Sequence, residues 1–207
     1  YTEGTIVNKG SYELIATRQD GVANGYDVNN LKKSIFRIYM LGEDNTALYF
    51  VGEINKIDNY ENFNSDNIDI VSENSKNNSL IKLERVSNFN LGGEKGQYHS
   101  LLMKNEKGWK SHFITAHDST NVKIHEKMEM GIFNSDNVTG ITIQNSNRSD
   151  SNLINRGKLV MTGNTSIKSV KDMELDDLTE AGKGMVGFLA NNKGTLTNHG
   201  DFLFYGR

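Results

Sequence analysis

The chain contains no cysteine and no proline in 207 residues. The first absence excludes disulfides, thiolate metal sites and cysteine nucleophiles. The second is unusual, because average usage of about 5% would give roughly ten prolines. Proline removes a donor from a strand ladder, so a chain without it suits an architecture in which nearly every segment lies in a sheet. No apolar run approaches the ~20 residues of a membrane-spanning helix. No basic-then-apolar leader opens the chain at Tyr1. Charge of one sign is also missing: 23 basic against 26 acidic residues, mixed throughout, leave a net charge of −3. That balance carries no electrostatic footprint for nucleic acid or an anionic membrane.

What is present is enough for a core. Ile, Leu, Val and Phe together number 52, about a quarter of the chain, above the ~20% below which disorder is expected. The length fits one domain or one piece of a repeat array. Asn is the compositional outlier, with 27 residues. An AT-rich genome raises Asn, Lys and Ile together, but it does not explain why Asn recurs at fixed positions.

Those positions form a pattern. Leu196, Asn198, Gly200, Phe202, Phe204 and Gly206 fall on Leu153, Asn155, Gly157, Leu159, Met161 and Gly163 with every spacing kept, a shift of 43 residues. Ile6, Asn8, Gly10, Tyr12 and Leu14 form a third copy, and Phe63-Asn64 and Phe133-Asn134 open weaker echoes with Asp66 and Asp136 in place of Gly. Asn134 to Asn155 is 21 residues, so the spacings suggest a unit of roughly 21 to 22 residues, within the range of solenoids and arrays. In Asn-x-Gly-x-Φ-x-Φ, where Φ is apolar, alternate residues face one side of a strand too short to be stable alone. Asn and Gly tolerate the left-handed backbone of sharp turns, and stacking the units buries the apolar face.

Residues 155–167 and the series Met185, Gly187, Ala190, Asn192, Gly194, Leu196, Asn198, Gly200 resemble the passenger domains of autotransporter adhesins of the fusobacterial type. The match covers about residues 128–207 and the first sixteen. It departs at 168–184, an insertion where the family usually runs straight on, and for residues 20–127 the likeness is compositional only. The resemblance implies an all-β, right-handed parallel β-helix (a solenoid) with irregular loop excursions, carried to the cell surface by a C-terminal outer-membrane barrel of the same polypeptide. That barrel is absent from this sequence, which is therefore expected to be a fragment whose coil continues past Arg207. The implied function is non-catalytic adhesion to a host or bacterial surface protein or glycan, with no cofactor and with self-association through open coil ends. A β-helix carbohydrate-active enzyme and a ligand-free structural spacer are the alternatives.

Along the chain, strands are expected at 5–8, 11–17, 34–41, 47–51, 54–60, 63–71, 80–86, 98–103, 109–115 and 122–125, with the apolar run at 34–41 in the core. Residues 20–30 and 72–79 read as loops. Residues 172–182 read either as one short helix, with Asp172 as N-cap, Leu175 and Leu178 on one face and Gly182 as stop, packed on the outside of the coil, or equally as an acidic loop. The stretch 95–127, without the repeat, reads either as ordinary irregular rungs or as the place for a binding excursion.

Motifs for chemistry are sparse. Gly182, Gly184 and Gly187 fit Gly-x-Gly-x-x-Gly, but they follow a helix candidate and open a strand, the reverse of the dinucleotide fold. His112 and His117-Asp118 resemble a protease histidine segment without any Gly-Asp-Ser-Gly nucleophile. His99, His112, His117 and His125 lack metal-ligand spacing and read as scattered surface residues. Asp66 with Asp69, and Asp176 with Asp177, would act as acid and base or bind calcium only if more carboxylates converged on one groove. Trp109 is the only tryptophan, near Tyr98, Lys107 and Lys110. It reads either as buried packing or, with Tyr98 and His112, as an exposed ligand platform.

Overall fold

In the computed structural model the structure describes residues 3–8, 13–17, 35–51, 63–65, 67–86, 88–146, 151–166 and 168–207. Among them the strands are β1 Glu3–Asn8, β2 Glu13–Thr17, β3 Ile35–Met40, β4 Thr46–Val51, β5 Phe63–Ser65, β6 Asn67–Glu73, β7 Ser79–Glu84, β8 Phe89–Leu91, β9 His99–Lys104, β10 Lys107–His117, β11 Val122–Ile124, β12 Glu129–Phe133, β13 Asp136–Gln144, β14 Asn152–Asn155, β15 Lys158–Thr162, β16 Val186–Asn191, β17 Thr195–Asn198 and β18 Phe202–Tyr205. The expected strand at 54–60 and the expected loop at 20–30 lie outside the described residues.

The strands form three sheets, in the orders β1-β3-β6-β9-β12-β15-β18, β16-β13-β10-β7-β4-β2 and β17-β14-β11-β8-β5. All neighbours in them are parallel. From β3 onward the chain visits the first, second and third sheet in rotation, and each strand pairs with the strand three further on. One such circuit therefore lies against the next. Residues 67–124, outside the clearest repeats, supply two circuits in register with their neighbours.

Alternation explains why these segments are strands. In the first sheet Ile38, Ile70, Leu101, Met130, Leu159 and Phe202 are successive register partners, and all but the last are fully buried in one core. Leu48, Ile81, Ile114, Ile141 and Phe188 make the corresponding row in the second sheet. Burying one such side chain contributes about 1.5–3 kcal/mol, and like stacks on like because the partner always occupies the same register position. The apolar run at 34–41 takes its expected place, with Ile38 and Met40 in the core.

The repeat period needs correction. Asn155 pairs with Asn198, and Leu159 with Phe202, so the shift between these two copies is a single step between neighbouring circuits. In the first sheet the step from Leu101 to Met130 equals that from Met130 to Leu159, and the same step of 29 positions separates Asn105 from Asn134. The shorter spacing from Asn134 to Asn155 joins two different corners of one circuit: Asn134 follows β12 in the first sheet, and Asn155 ends β14 in the third. Asn8 also stands at the end of a first-sheet strand, whereas Asn198 ends a third-sheet strand. Gly10 lies outside the described residues.

The corners are polar and left-handed. Asn74, Asn105 and Asn134 have φ of 54°, 53° and 45°, a conformation that Asn tolerates better than most residues. Their amides form a ladder, Asn105 Nδ2 donating to Asn74 Oδ1 at 2.8 Å and Asn134 Nδ2 to Asn105 Oδ1 at 2.5 Å. At the corner between the third and first sheets Asn155 Nδ2 donates to Asn198 Oδ1 at 2.8 Å, while Gly157 N donates to Asn155 Oδ1 at 3.1 Å. A Cβ on Gly200 would overlap the Gly157 carbonyl oxygen; this is why glycine is needed there.

The insertion between β15 and β16 does not form the helix that is one reading of 172–182. It makes two 3-10 turns, Val170–Asp172 and Leu175–Asp177, separated by extended backbone at Met173. Two anchors decide this. Val170 and Met173 are buried against Phe133 and Val160 on the outer face of the first sheet, joined by Leu178. Asn164 takes up the backbone groups a helix would have used internally, accepting from Thr179 N and Glu180 N and donating to Asp177 O. Asp172 ends the first turn instead of capping a helix, and Leu175 is 65% exposed. The segment packs on the outside of the sheet, as expected.

Because backbone atoms face the Gly200 Cα from the preceding circuit, Gly200→Ala is expected to destabilise the protein by about 1–3 kcal/mol through overpacking. Urea denaturation would read this as a lower midpoint at unchanged slope; an unchanged midpoint would show that this corner has slack.

Candidate functional site

The outer face of the second sheet is built by three similar tetrapeptides. Ile81-Lys82-Leu83-Glu84, Ile114-Thr115-Ala116-His117 and Ile141-Thr142-Ile143-Gln144 lie side by side in β7, β10 and β13. Their first and third residues are buried in the core. Alternation therefore turns Lys82, Thr115 and Thr142 outward as one row, with Leu189 next in register. Glu84, His117, Gln144 and Asn191 form a second row.

The first row, with Gln144 and Asn191 of the second, floors a groove that reaches from Asp44 and Asn45 past His112 to Leu189 and Asn191. It crosses five consecutive circuits, four strand spacings of about 4.8 Å, or roughly 19 Å. Lys82 is the cation and Asp44 the carboxylate of its lining. Each is engaged: Lys82 Nζ lies 5.9 Å from the centre of the Tyr49 ring, and Asp44 Oδ1 accepts from Asn77 Nδ2 at 3.0 Å. The Tyr49 hydroxyl donates to Glu84, and this bond, with the Arg85 guanidinium 2.6 Å away, holds the Glu84 carboxyl below its ordinary value. The rest of the lining is hydroxyl, amide and imidazole, closed at one end by Leu189. Within it the Thr115 and Thr142 hydroxyl oxygens and His112 Nδ1 are buried and make no hydrogen bond among the described residues. Burial, and secondarily Lys82, pushes the His112 pKa down from its ordinary value, toward a neutral imidazole.

Of the three ligand candidates the sequence suggests, one lies in the groove. His112 lines the groove. Trp109, three residues earlier in β10, is 85% exposed, so its reading as buried packing does not hold. Its side chain is not among those that line the groove. Tyr98 stands apart, just before the first-sheet strand β9, where its carbonyl accepts from Ile68 N. His99, His112, His117 and His125 are half-buried, not scattered on an open surface. Thr115, Thr142 and Lys82 are groove residues that the sequence reading missed. The signal was the recurrence of Ile-Thr-Ala-His, opening at Ile114, as Ile-Thr-Ile-Gln, opening at Ile141.

Ser146, His117 and Asp118 meet at the corner after β10, but not as a triad. Ser146 Oγ lies 3.2 Å from His117 Nε2, but its hydroxyl donates to Asp118 Oδ2 at 2.7 Å, and His117 Nδ1 is 3.7 Å from that oxygen, too far for the hydrogen bond that orients a catalytic imidazole. Among the described residues no three of His, Asp and Glu converge as metal ligands.

Glu106 is a further missed residue. It is 0% exposed at the corner between the first and second sheets. Its carboxylate accepts from Ser72 Oγ at 2.9 Å, Asn78 N at 2.9 Å and Ser111 Oγ at 3.0 Å. Burial nevertheless raises its pKa above the ordinary glutamate value, the three donors only partly offsetting it.

No family model, curated protein or solved structure matches this chain.

The raised pKa of Glu106 sets a pH dependence. An acid whose folded pKa lies above its unfolded value stabilises the fold fully below the unfolded pKa, and that contribution is lost as pH rises through the folded pKa. Glu106→Gln, which cannot ionise, is therefore expected to gain stability relative to the parent between about pH 4 and pH 8. Paired urea unfolding at those two pH values tests this; a difference that shrinks with pH would reverse the assignment.

Proposed function

We propose that this chain is a right-handed parallel β-helix from the surface-displayed passenger of an autotransporter-type adhesin, and that it acts by binding without catalysis. The observation that carries the architecture is the rotation of the chain through three parallel sheets, each strand in register with the strand one circuit away. A strand that returns parallel to its own sheet does so by a right-handed crossover in nearly all proteins, which supports the hand. Among the described residues each circuit finds its ladder partners only in its neighbours, as in a quasi-one-dimensional repeat.

The adhesin reading rests on the resemblance of residues 128–207, on the absence of cysteine from a chain that would cross the outer membrane unfolded, and on the outer face of the second sheet. That face offers hydroxyl, amide and imidazole groups across five circuits, and among the described residues the groove lining holds a single carboxylate, Asp44. Glycoside hydrolysis normally needs two. Partners would be surface proteins or glycans of host or bacterial cells, bound by contacts summed along the stack, with the cell surface as location and an outer-membrane barrel as anchor.

Two measurements test the parts separately. Removing residues 100–128, one whole circuit by register, is expected to leave a folded protein with the same β-sheet circular dichroism per residue; a chain that no longer folds would count against a stack of equivalent circuits. The 207-residue chain labelled with a fluorophore is expected to bind intact host or bacterial cells saturably, in competition with unlabelled protein. Absence of saturable binding to any cell type would leave the adhesin reading without support.

A further inference from the structure

We infer that the groove on the outer face of the second sheet is a binding site for a neutral oligosaccharide. The inference deepens the adhesin reading and rests on it.

Three buried polar atoms of the groove lack hydrogen-bond partners among the described residues. Thr115 and Thr142 are register neighbours on the outer face, and Thr142 is only 5% exposed. Neither hydroxyl has a partner among the described residues, and His112 Nδ1 in the same lining has none either. A buried hydroxyl without a hydrogen bond is less favourable than the methyl of a valine of the same shape. Two adjacent threonines and an imidazole at such positions are therefore explained by a ligand that completes them. Thr has a single heavy-atom torsion, and rotation about it presents the hydroxyl to a molecule seated in the groove.

The lining also selects the class of ligand. Hydroxyls, amides and a neutral imidazole each donate or accept, which matches a molecule whose own groups do both. Sugar hydroxyls are such groups. The two charges of the lining, Lys82 and Asp44, are opposite in sign and already engaged with Tyr49 and Asn77, so the groove offers no net attraction to a uronate or sialate. Its extent, roughly 19 Å over four strand spacings, suits several linked sugar rings better than one.

The test titrates the 207-residue chain with cellotetraose, chitotetraose, maltotetraose and lacto-N-tetraose, and with tetragalacturonate and sialyllactose as acidic counterparts. Calorimetry gives Kd. At least one neutral sugar is expected to bind with Kd below about 1 mM. The double variant Thr115→Val/Thr142→Val is expected to bind that sugar at least about tenfold more weakly while its urea midpoint stays the same or rises. No neutral binder, binding confined to the acidic sugars, or full binding by the double variant would each overturn the inference. The same double variant in the cell-binding assay separates the two readings. Undiminished cell binding would discard the groove and point to a protein contact elsewhere, with adhesion intact. Sugar binding without any cell binding by the parent would keep the groove and remove the adhesin reading.

Discussion

The parallel hydrogen-bond ladder between circuits is the constraint on which the rest depends. Among the described residues no strand pairs with another strand of its own circuit; every ladder runs to the circuit before or after. A single circuit therefore has unsatisfied backbone groups on both sides and an apolar interior open at both ends. Register then has large consequences, because a slip of one residue would turn the inner rows of Ile, Leu and Met outward. The register must be held by something more specific than hydrophobic packing.

The corners supply that specificity. Asn74, Asn105 and Asn134 stack with their side-chain amides in series, and each donates its backbone N–H to the next circuit. Just inside them Ser75, Glu106 and Ser135 form a parallel stack, with Lys107 N donating to Ser75 O and Asp136 N to Glu106 O. Ser135 Oγ accepts from Glu106 N and donates to Phe133 O, and Ser119 makes the same pair of bonds at the next corner, with Val86 N and His117 O. Glu106 occupies a place that serine holds in the circuits on either side. A carboxylate is tolerated there because three donors converge on it, though burial still biases it toward its protonated form.

This division explains which features were legible in the residues alone. Strand positions could be read because alternation is local: the run at 34–41 and the residues around Asn155 and Asn198 needed no knowledge of neighbours. The period could not. Asn with Gly or Asp two positions later serves more than one corner, so the motif marks a corner without saying which, and the spacing between Asn134 and Asn155 mixes two kinds. Connection lengths vary, and the segment from Gly163 to Met185 lengthens the last step, so that Asn155 and Asn198 stand 43 positions apart. The helical reading of 172–182 had adequate local signals. Tertiary contacts overrode them, since Val170, Met173 and Leu178 follow the contour of the sheet and Asn164 captures the backbone from outside.

The groove was least legible, for a reason that follows from the ladder. Inner rows must be apolar in every circuit, so their residues repeat in kind. Outer rows bear no such demand, and their residues differ: Tyr49, Lys82, Thr115, Thr142 and Leu189 share one register position. Any site on this face is assembled from residues a whole circuit apart in the chain, at spacings set by loop lengths unrelated to the site. No short motif can encode it. Its geometry is inherited from the corners, because the distance between Thr115 and Thr142 is the strand spacing and nothing else. Loosening the stack at a corner would thus separate the walls of the groove before it disturbed any single strand, and the ladders that hold the fold are the same ones that hold the site.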